Sequence, residues 1–232
     1  MRGLLITGTD TAVGKTVVTA WLARQLLDQG LRVGIYKPAC SGAEYRSDGE
    51  PYWDDVEQHW EALAGRYPRD LICPLRFLAP VAPAVAAELE GVELSLDQLL
   101  AGVQPWSEQV DLLLVEGAGG WLAPLTHVAS VRDLAAGLQF PVLIVARQQL
   151  GTINHTLLTA ESIQHAGLPV QGIVLNQIQQ QTDPSAASNA SLIARGAPGI
   201  PIWDFPFQPE PQLQAEPAFG SMQDLVRALF SS

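Results

Sequence analysis

Short apolar runs and helix-spaced apolar positions succeed one another along this chain. Leu4-Leu5-Ile6 is an apolar run. It leads into the polar stretch GTDTAVGKT at residues 8–16, after which Val18, Leu22 and Leu26 recur at helical spacing. The pattern predicts a strand over residues 3–7 and a helix over 16–28, with Gly30 just past its end. Residues 31–36 predict a second strand. Pro38 biases Lys37 to an extended conformation, so Lys37 ends that strand. Residues 41–52 are polar, carry Gly42, Gly49 and Pro51, and read as a loop. Asp54 or Asp55 is placed to cap a helix running to about residue 64. Pro74, Pro80 and Pro83 punctuate an irregular stretch, followed by helical patterns over 84–90 and 95–101. The apolar run 111–115 predicts a short strand ending at Glu116, before Gly117-Ala118-Gly119-Gly120. Further strands are predicted over 141–146, 170–175 and 201–205, and helices over 152–165 and 184–195. Residues 208–217, rich in Pro, Gln and Glu, read as a surface loop, and 221–230 as a closing helix.

Strand-like and helix-like segments that alternate in this way predict an α/β fold with a mainly parallel central sheet and helices on both faces. The 232 residues suit one domain. In such sheets ligands bind at the carboxyl ends of the strands. Residues 8–16, 37–41, 116–120 and Asn176 all fall at predicted strand ends.

Composition narrows the partners. The formal net charge is −11 with no basic run, which argues against nucleic acid and anionic membranes. No apolar run approaches the ~20 residues of a membrane span. The sequence opens on a strand without a leader segment, and Cys40 and Cys73 have no CxxC neighbour. These features predict reduced thiols and a cytoplasmic protein.

The chemistry centres on residues 8–16. A strand, a glycine-bearing loop, Lys15-Thr16 and a helix form the layout of a phosphate-binding P-loop, whose backbone N–H groups attract oxyanions. Lys15 would reach the β- and γ-phosphates, and the Thr16 hydroxyl would ligate Mg²⁺. The usual motif has four residues between its glycines. Here five separate Gly8 from Gly14, and Thr9 stands where the first glycine usually does. A plain strand-to-helix turn with an exposed lysine is the rival reading, and the strand and helix on either side favour phosphate.

Glu116, at the end of an apolar strand, is suited to a metal ion or its water, as Walker-B acids are; the alternative is an acid capping the next turn. Gly117, Gly119 and Gly120 permit close backbone approach to a ligand, or mark a flexible turn. Asp54 or Asp55 would complete an Mg²⁺ site with Thr16 and Glu116, or would cap a helix. Lys15 and Lys37 are the only lysines. Lys37 would offset charge on a transferring phosphoryl group, unless it is a solvated edge residue.

GTDTAVGKT, KPACSG, VEGAGGW, LGTINH and VLNQ occur in this order, and together they resemble the dethiobiotin synthetase family. The resemblance runs from residue 4 to about 207 and is weakest over 44–110 and in the tail. The five-residue gap in the loop is the form this family uses. The resemblance implies a P-loop NTPase fold and a homodimer that uses ATP and Mg²⁺. It also implies a reaction. CO₂ or bicarbonate carboxylates one amine of 7,8-diaminopelargonic acid, the carbamate attacks the γ-phosphate, and the second amine closes the ring and expels phosphate.

Residue roles carry over from the same resemblance. Lys37 and Lys15 are implied as catalytic. Ala12, Val13, Gly14, Lys15, Thr16 and Val17 are implied around the nucleotide, with Asp55, Glu116, Gly117, Ala118 and Gly119. Asn176 matches the residue that reads adenine, and Pro206 a second nucleotide-contacting turn. Thr11, Lys37 and Ser41 are implied on the substrate head. Gly151 and Asn154 match the segment that receives the substrate carboxylate from the neighbouring subunit. Thr16, Glu116 and a helix-start aspartate are implied as metal ligands. Spacing from Ser41 points to Asp54, whereas the following Val56-Glu57 points to Asp55, which is favoured. Trp203 departs from the small residue expected ahead of Pro206.

The rival class is a P-loop switch ATPase of the partitioning or septum-site type. Those proteins usually carry a second lysine early in the loop, where this chain has Thr9-Asp10-Thr11.

Overall fold

The structure is a computed structural model that describes residues 1–207 together with Asp224, Leu225 and Arg227. The loop expected over 208–217 lies outside the described residues. So does the closing helix over 221–230, apart from those three residues, which are helical.

In chain order the elements are β1 (Arg2–Gly8), α1 (Lys15–Asp28), β2 (Val33–Tyr36), β3 (Ala39–Ser41), β4 (Glu44–Tyr45) and β5 (Pro51–Tyr52). Then come α2 (Asp54–Ala62), α3 (Arg69–Ile72), β6 (Leu75–Phe77), α4 (Pro83–Leu89) and α5 (Leu96–Ala101). The last are β7 (Leu112–Gly120), α6 (Val131–Leu138), β8 (Val142–Arg147), α7 (Thr152–His165), β9 (Val170–Asn176), α8 (Ala186–Gly196) and β10 (Ile202–Phe205). Six strands form one sheet in the order β10-β9-β8-β1-β7-β2, and every neighbouring pair is parallel. Long stretches of β1, β7 and β8 are buried without alternation, the signature of a sheet covered by helices on both faces. Parallel order brings the ends of β1, β2, β7, β8 and β9 to one edge, where the predicted site residues stand.

Four details differ from the sequence expectations. First, β7 continues through Glu116 to Gly120, because its ladder with β1 resumes at Gly8↔Gly120 after an irregularity past Ile6↔Glu116. Glycine lacks strand propensity, so the sequence hides this extension. Second, residues 41–52 are more than a loop. Ser41 ends β3, which pairs in parallel with β6, and β4 pairs with β5 as a short hairpin. Third, neither Asp54 nor Asp55 caps α2. The cap position is Trp53, with no side-chain bond, and both aspartates sit in the first turn, where the helix dipole favours a carboxylate. Fourth, α6 was not anticipated. Ser130 donates to Asp133 Oδ2 from its backbone N–H at 2.7 Å and from its hydroxyl at 2.6 Å, so the Asp133 carboxylate ties down the residue that starts the helix, as in a capping box.

Trp203 is 5% exposed and packs over Gly172, where an added Cβ would lie 2.1 Å from its ring. The tryptophan fills space that the glycine leaves in the neighbouring strand. Cys40 and Cys73 are free, buried thiols, with their sulfurs 3.5 Å apart.

Candidate active site

The loop between β1 and α1 turns tightly enough to need two left-handed residues, Ala12 (φ 52°) and Gly14 (φ 86°). At Gly14 a side chain is also excluded by space, since a Cβ would lie 2.0 Å from Asn176 Nδ2. That approach lets the Asn176 amide donate to the Val13 carbonyl at 2.9 Å. The loop bounds a cavity of about 620 Å³, lined by Thr11, Ala12, Gly14, Lys15, Thr16 and Val17. Lys37, Ser41, Asp55, Glu116, Ala118 and Gly119 complete its wall, with Cys40, Gln58, Ala123 and residues 80–83.

Thr16 is the meeting point of the acidic groups. Its hydroxyl is 2.8 Å from Asp55 Oδ1 and 2.9 Å from Glu116 Oε1. The Lys37 ammonium bonds Glu116 Oε1 at 2.8 Å and also contacts Asp55 Oδ2. Asp54 turns away and accepts from Gln58 at 2.7 Å. Lys37 is 3% exposed, Lys15 7% and Glu116 0%, so these charges interact through protein rather than through water.

Burial shapes each ionisation. For Lys37, burial favours the neutral amine, but Glu116 and then Asp55 reverse that and hold it above the ordinary lysine range. For Glu116, burial favours the acid; Lys37 and then His59 overcome it, and the carboxyl sits well below its usual range. For Asp55 burial again opposes and Lys37 again prevails, leaving the carboxyl lowered. Lys15 differs. Burial is its largest influence and lowers it, despite the attraction of Glu116. Among the described residues its ammonium donates only to the Asp10 carbonyl, at 3.3 Å, and it is the lysine freer to meet an incoming anion.

The remaining predicted residues fall in separate places. Ser41 donates to the Val81 carbonyl at 2.5 Å, tying β3 to the segment that walls the cavity. Gly117 lies under the site against Val131. Val13 is buried behind the loop. Pro206 follows β10, away from the cavity lining. Gly151, with φ 93°, is the cap of α7, and Asn154 is exposed in that helix's first turn. Neither faces this chain's own cavity. Leu150 and Leu158, on either side of Asn154 in sequence, are 80% and 56% exposed.

Sequence reading missed His59 and Arg147. His59 is fully buried, with Nε2 3.0 Å from Glu116 Oε2. The ring N–H is not aimed squarely at that oxygen, and neither atom has another hydrogen-bond partner among the described residues. Its signal was available, since His59 stands four residues after Asp55 on one helix, and that spacing places both on the same face. Arg147 ends β8 and reaches the loop from behind.

Mg²⁺ fits this donor set. Among the described residues no group of three or more His, Cys, Asp or Glu side chains forms a metal cage. One hydroxyl and two carboxylates around a phosphate loop are what Mg²⁺ takes when waters and phosphate oxygens fill its other positions. No described helix is long and apolar enough to cross a membrane.

The chain is similar to several known proteins. A family described as an AAA domain matches residues 2–199. A protein of Anaeromyxobacter dehalogenans (strain 2CP-C) called ATP-dependent dethiobiotin synthetase BioD is 46% identical over 222 residues, which is 96% of this chain and 97% of the relative. A protein of the same name from Bacillus subtilis (strain 168) is 40% identical over 204 residues, 87% of this chain and 85% of the relative. Among solved structures, the septum site-determining protein MinD of Pyrococcus horikoshii, complexed with Mg-ADP, superposes with a TM-score of 0.51 at 17% identity, covering all of this chain and 90% of that one. The signal recognition particle receptor FtsY of Elizabethkingia anophelis superposes at 0.53 and 17%, covering 99% of this chain and 65% of that one. At such identities the likeness to MinD and FtsY is one of fold.

Proposed function

This chain belongs to the family of ATP-dependent dethiobiotin synthetases and makes dethiobiotin at the expense of ATP, and we propose that it does so with the cavity between the P-loop and Lys37 as its active site. The observation that carries the proposal is that the chain's only two lysines are buried in the same cavity. A buried lysine is costly unless a charge answers it. Asp55 and Glu116 answer Lys37, whereas Lys15 is left for a ligand's phosphates.

The nucleotide's phosphates lie along the loop N–H groups, with Lys15 over the β- and γ-phosphates. Thr16, Asp55 and Glu116 would hold Mg²⁺, which when bound supplies positive charge at the phosphate oxygens. 7,8-Diaminopelargonic acid lies at the other end of the cavity, its head group near Thr11 and Ser41. CO₂ adds to one amine, and the proton lost from that nitrogen leaves the carbamate anionic beside Lys37. A carbamate oxygen attacks the γ-phosphorus, the bond to ADP breaks, and a carbamic–phosphoric anhydride results. The second amine attacks its carbonyl carbon, and phosphate departs with the former carbamate oxygen. Lys37 and Lys15 stabilise the charge on the transferring group.

The protein acts as a homodimer in the cytoplasm, with no nucleic acid or membrane partner. Exposed Leu150 and Leu158 around Asn154 suit a contact between copies, and the start of α7 suits the substrate carboxylate of the neighbouring subunit. The route is tested with CO₂ whose oxygens carry ¹⁸O. Phosphate released in a single turnover should carry one labelled oxygen. Unlabelled phosphate would exclude attack by the carbamate.

A further inference from the structure

Three successive carbonyls of the phosphate loop are held by side chains from neighbouring strand ends. Arg147, the last residue of β8, donates from Nη2 to the Thr11 carbonyl at 3.0 Å and from Nε to the Ala12 carbonyl at 3.2 Å. Asn176, its register partner at the end of β9, donates to the Val13 carbonyl at 2.9 Å. We propose that Arg147 is a positioning residue for phosphate binding, which fixes the loop's peptide planes so that their N–H groups face the cavity. The proposal rests on the reading above that this loop receives the phosphates of ATP.

The physical link is the trans peptide. No described peptide bond is cis, and in a trans unit the C=O and the following N–H point in opposite directions. Pulling the Thr11 and Ala12 carbonyls back toward β8 therefore turns the Ala12 and Val13 N–H groups forward. Thr11 and Ala12 line the cavity and Arg147 does not. Arg147 instead lines a small pocket behind the loop, with Thr9, Asp10, Val13, Gln149, Thr152 and His155. Its effect on a phosphate would pass through the backbone rather than by contact.

The loop needs such a brace. Ala12 holds φ 52° without being glycine, a region where side chains are disfavoured. Beside Arg147 and Asn176, Asp10 supports the loop from within, its Oδ1 accepting from the Thr11 N–H at 2.7 Å. A guanidinium suits the task because its planar fork meets two acceptors at a fixed spacing, which an ammonium does not.

The test is MgATP binding by calorimetry to wild type, Arg147→Ala and Arg147→Lys, each checked for fold by circular dichroism. Loss of two charge-assisted hydrogen bonds should weaken binding by on the order of tenfold in both variants. Millimolar guanidinium should restore Arg147→Ala, since the group reoccupies a site open to solvent. Wild-type affinity in either folded variant would overturn the assignment. So would a weakened Arg147→Ala variant that guanidinium leaves unchanged, which would make the side chain merely structural. If Arg147→Ala does not fold, Arg147→Lys carries the test, because it keeps the charge and loses the fork. A wild-type protein that binds no MgATP would instead overturn the function proposed above, and this role with it.

Discussion

The Nζ of Lys37 lies 2.8 Å from Oε1 of Glu116, and both side chains are shut off from water. Neither charge is tenable alone. Removing one partner of such a pair strands the other, at a cost of about 3–5 kcal/mol. Lys37→Ala should therefore lose stability as well as turnover, and the two losses separate experimentally. Per folded molecule, turnover should drop by on the order of a hundredfold, as when a preorganised charge is lost from a phosphoryl-transfer site. Denaturant melts and initial rates on the same sample check both. Unchanged turnover in the folded fraction would remove Lys37 from the reaction.

Asp54 and Asp55 are adjacent in sequence and opposite in environment. Asp55 lines the cavity and faces Thr16 and Lys37, whereas Asp54 does not line it and accepts a hydrogen bond from Gln58. Asp55→Asn should raise the Mg²⁺ concentration needed for half-maximal rate by on the order of tenfold or more. Asp54→Asn should leave it unchanged. Titrating Mg²⁺ at saturating ATP reads the difference, and an equal effect of both changes would contradict the assignment.

The cap of α6 gives a pH-dependent prediction away from the site. Bonds from Ser130 hold the Asp133 carboxyl below its ordinary value of 3.8. A carboxyl lowered by folding contributes stability that is present above its unfolded value and lost as pH falls through the folded one. Asp133→Ala should cost about 1 kcal/mol near neutral pH. The gap between variant and wild type should close as pH drops below 3.8. Urea melts across that range check it; a gap independent of pH would mean the carboxylate charge contributes nothing.

Much of the sheet was legible because buried parallel strands are unbroken apolar runs, as Leu4-Leu5-Ile6 and residues 142–146 are. Lys37 could be placed at the end of β2 for the same reason, and Glu116 at the end of the apolar part of β7, though not at the end of that strand. What was hidden depends on partners distant in sequence. Gly117 to Gly120 continue β7 only because β1 lies alongside. Ser41 belongs to a strand only through β6. His59 looked like any helix residue until α2 docked it on Glu116. The start of α6 was readable in principle, since Ser130 and Asp133 have capping-box spacing ahead of apolar Val131, Leu134 and Ala135.

The proposed sharing of the site between subunits predicts complementation. Lys37→Ala and Asn154→Ala should each be inactive as homodimers. In a hybrid of the two, one site carries both defects and the other neither, so about half of wild-type activity should return. A verified heterodimer without activity would confine Asn154 to its own subunit.

A dethiobiotin synthetase couples ATP cleavage to carboxylation of a diamine. Phosphate release should be measured with MgATP alone, then with bicarbonate, then with bicarbonate and 7,8-diaminopelargonic acid. Release should be near background until the diamine is added, and then match dethiobiotin one for one. Steady release that ignores the diamine, or diamine-dependent release without dethiobiotin, would contradict this coupling.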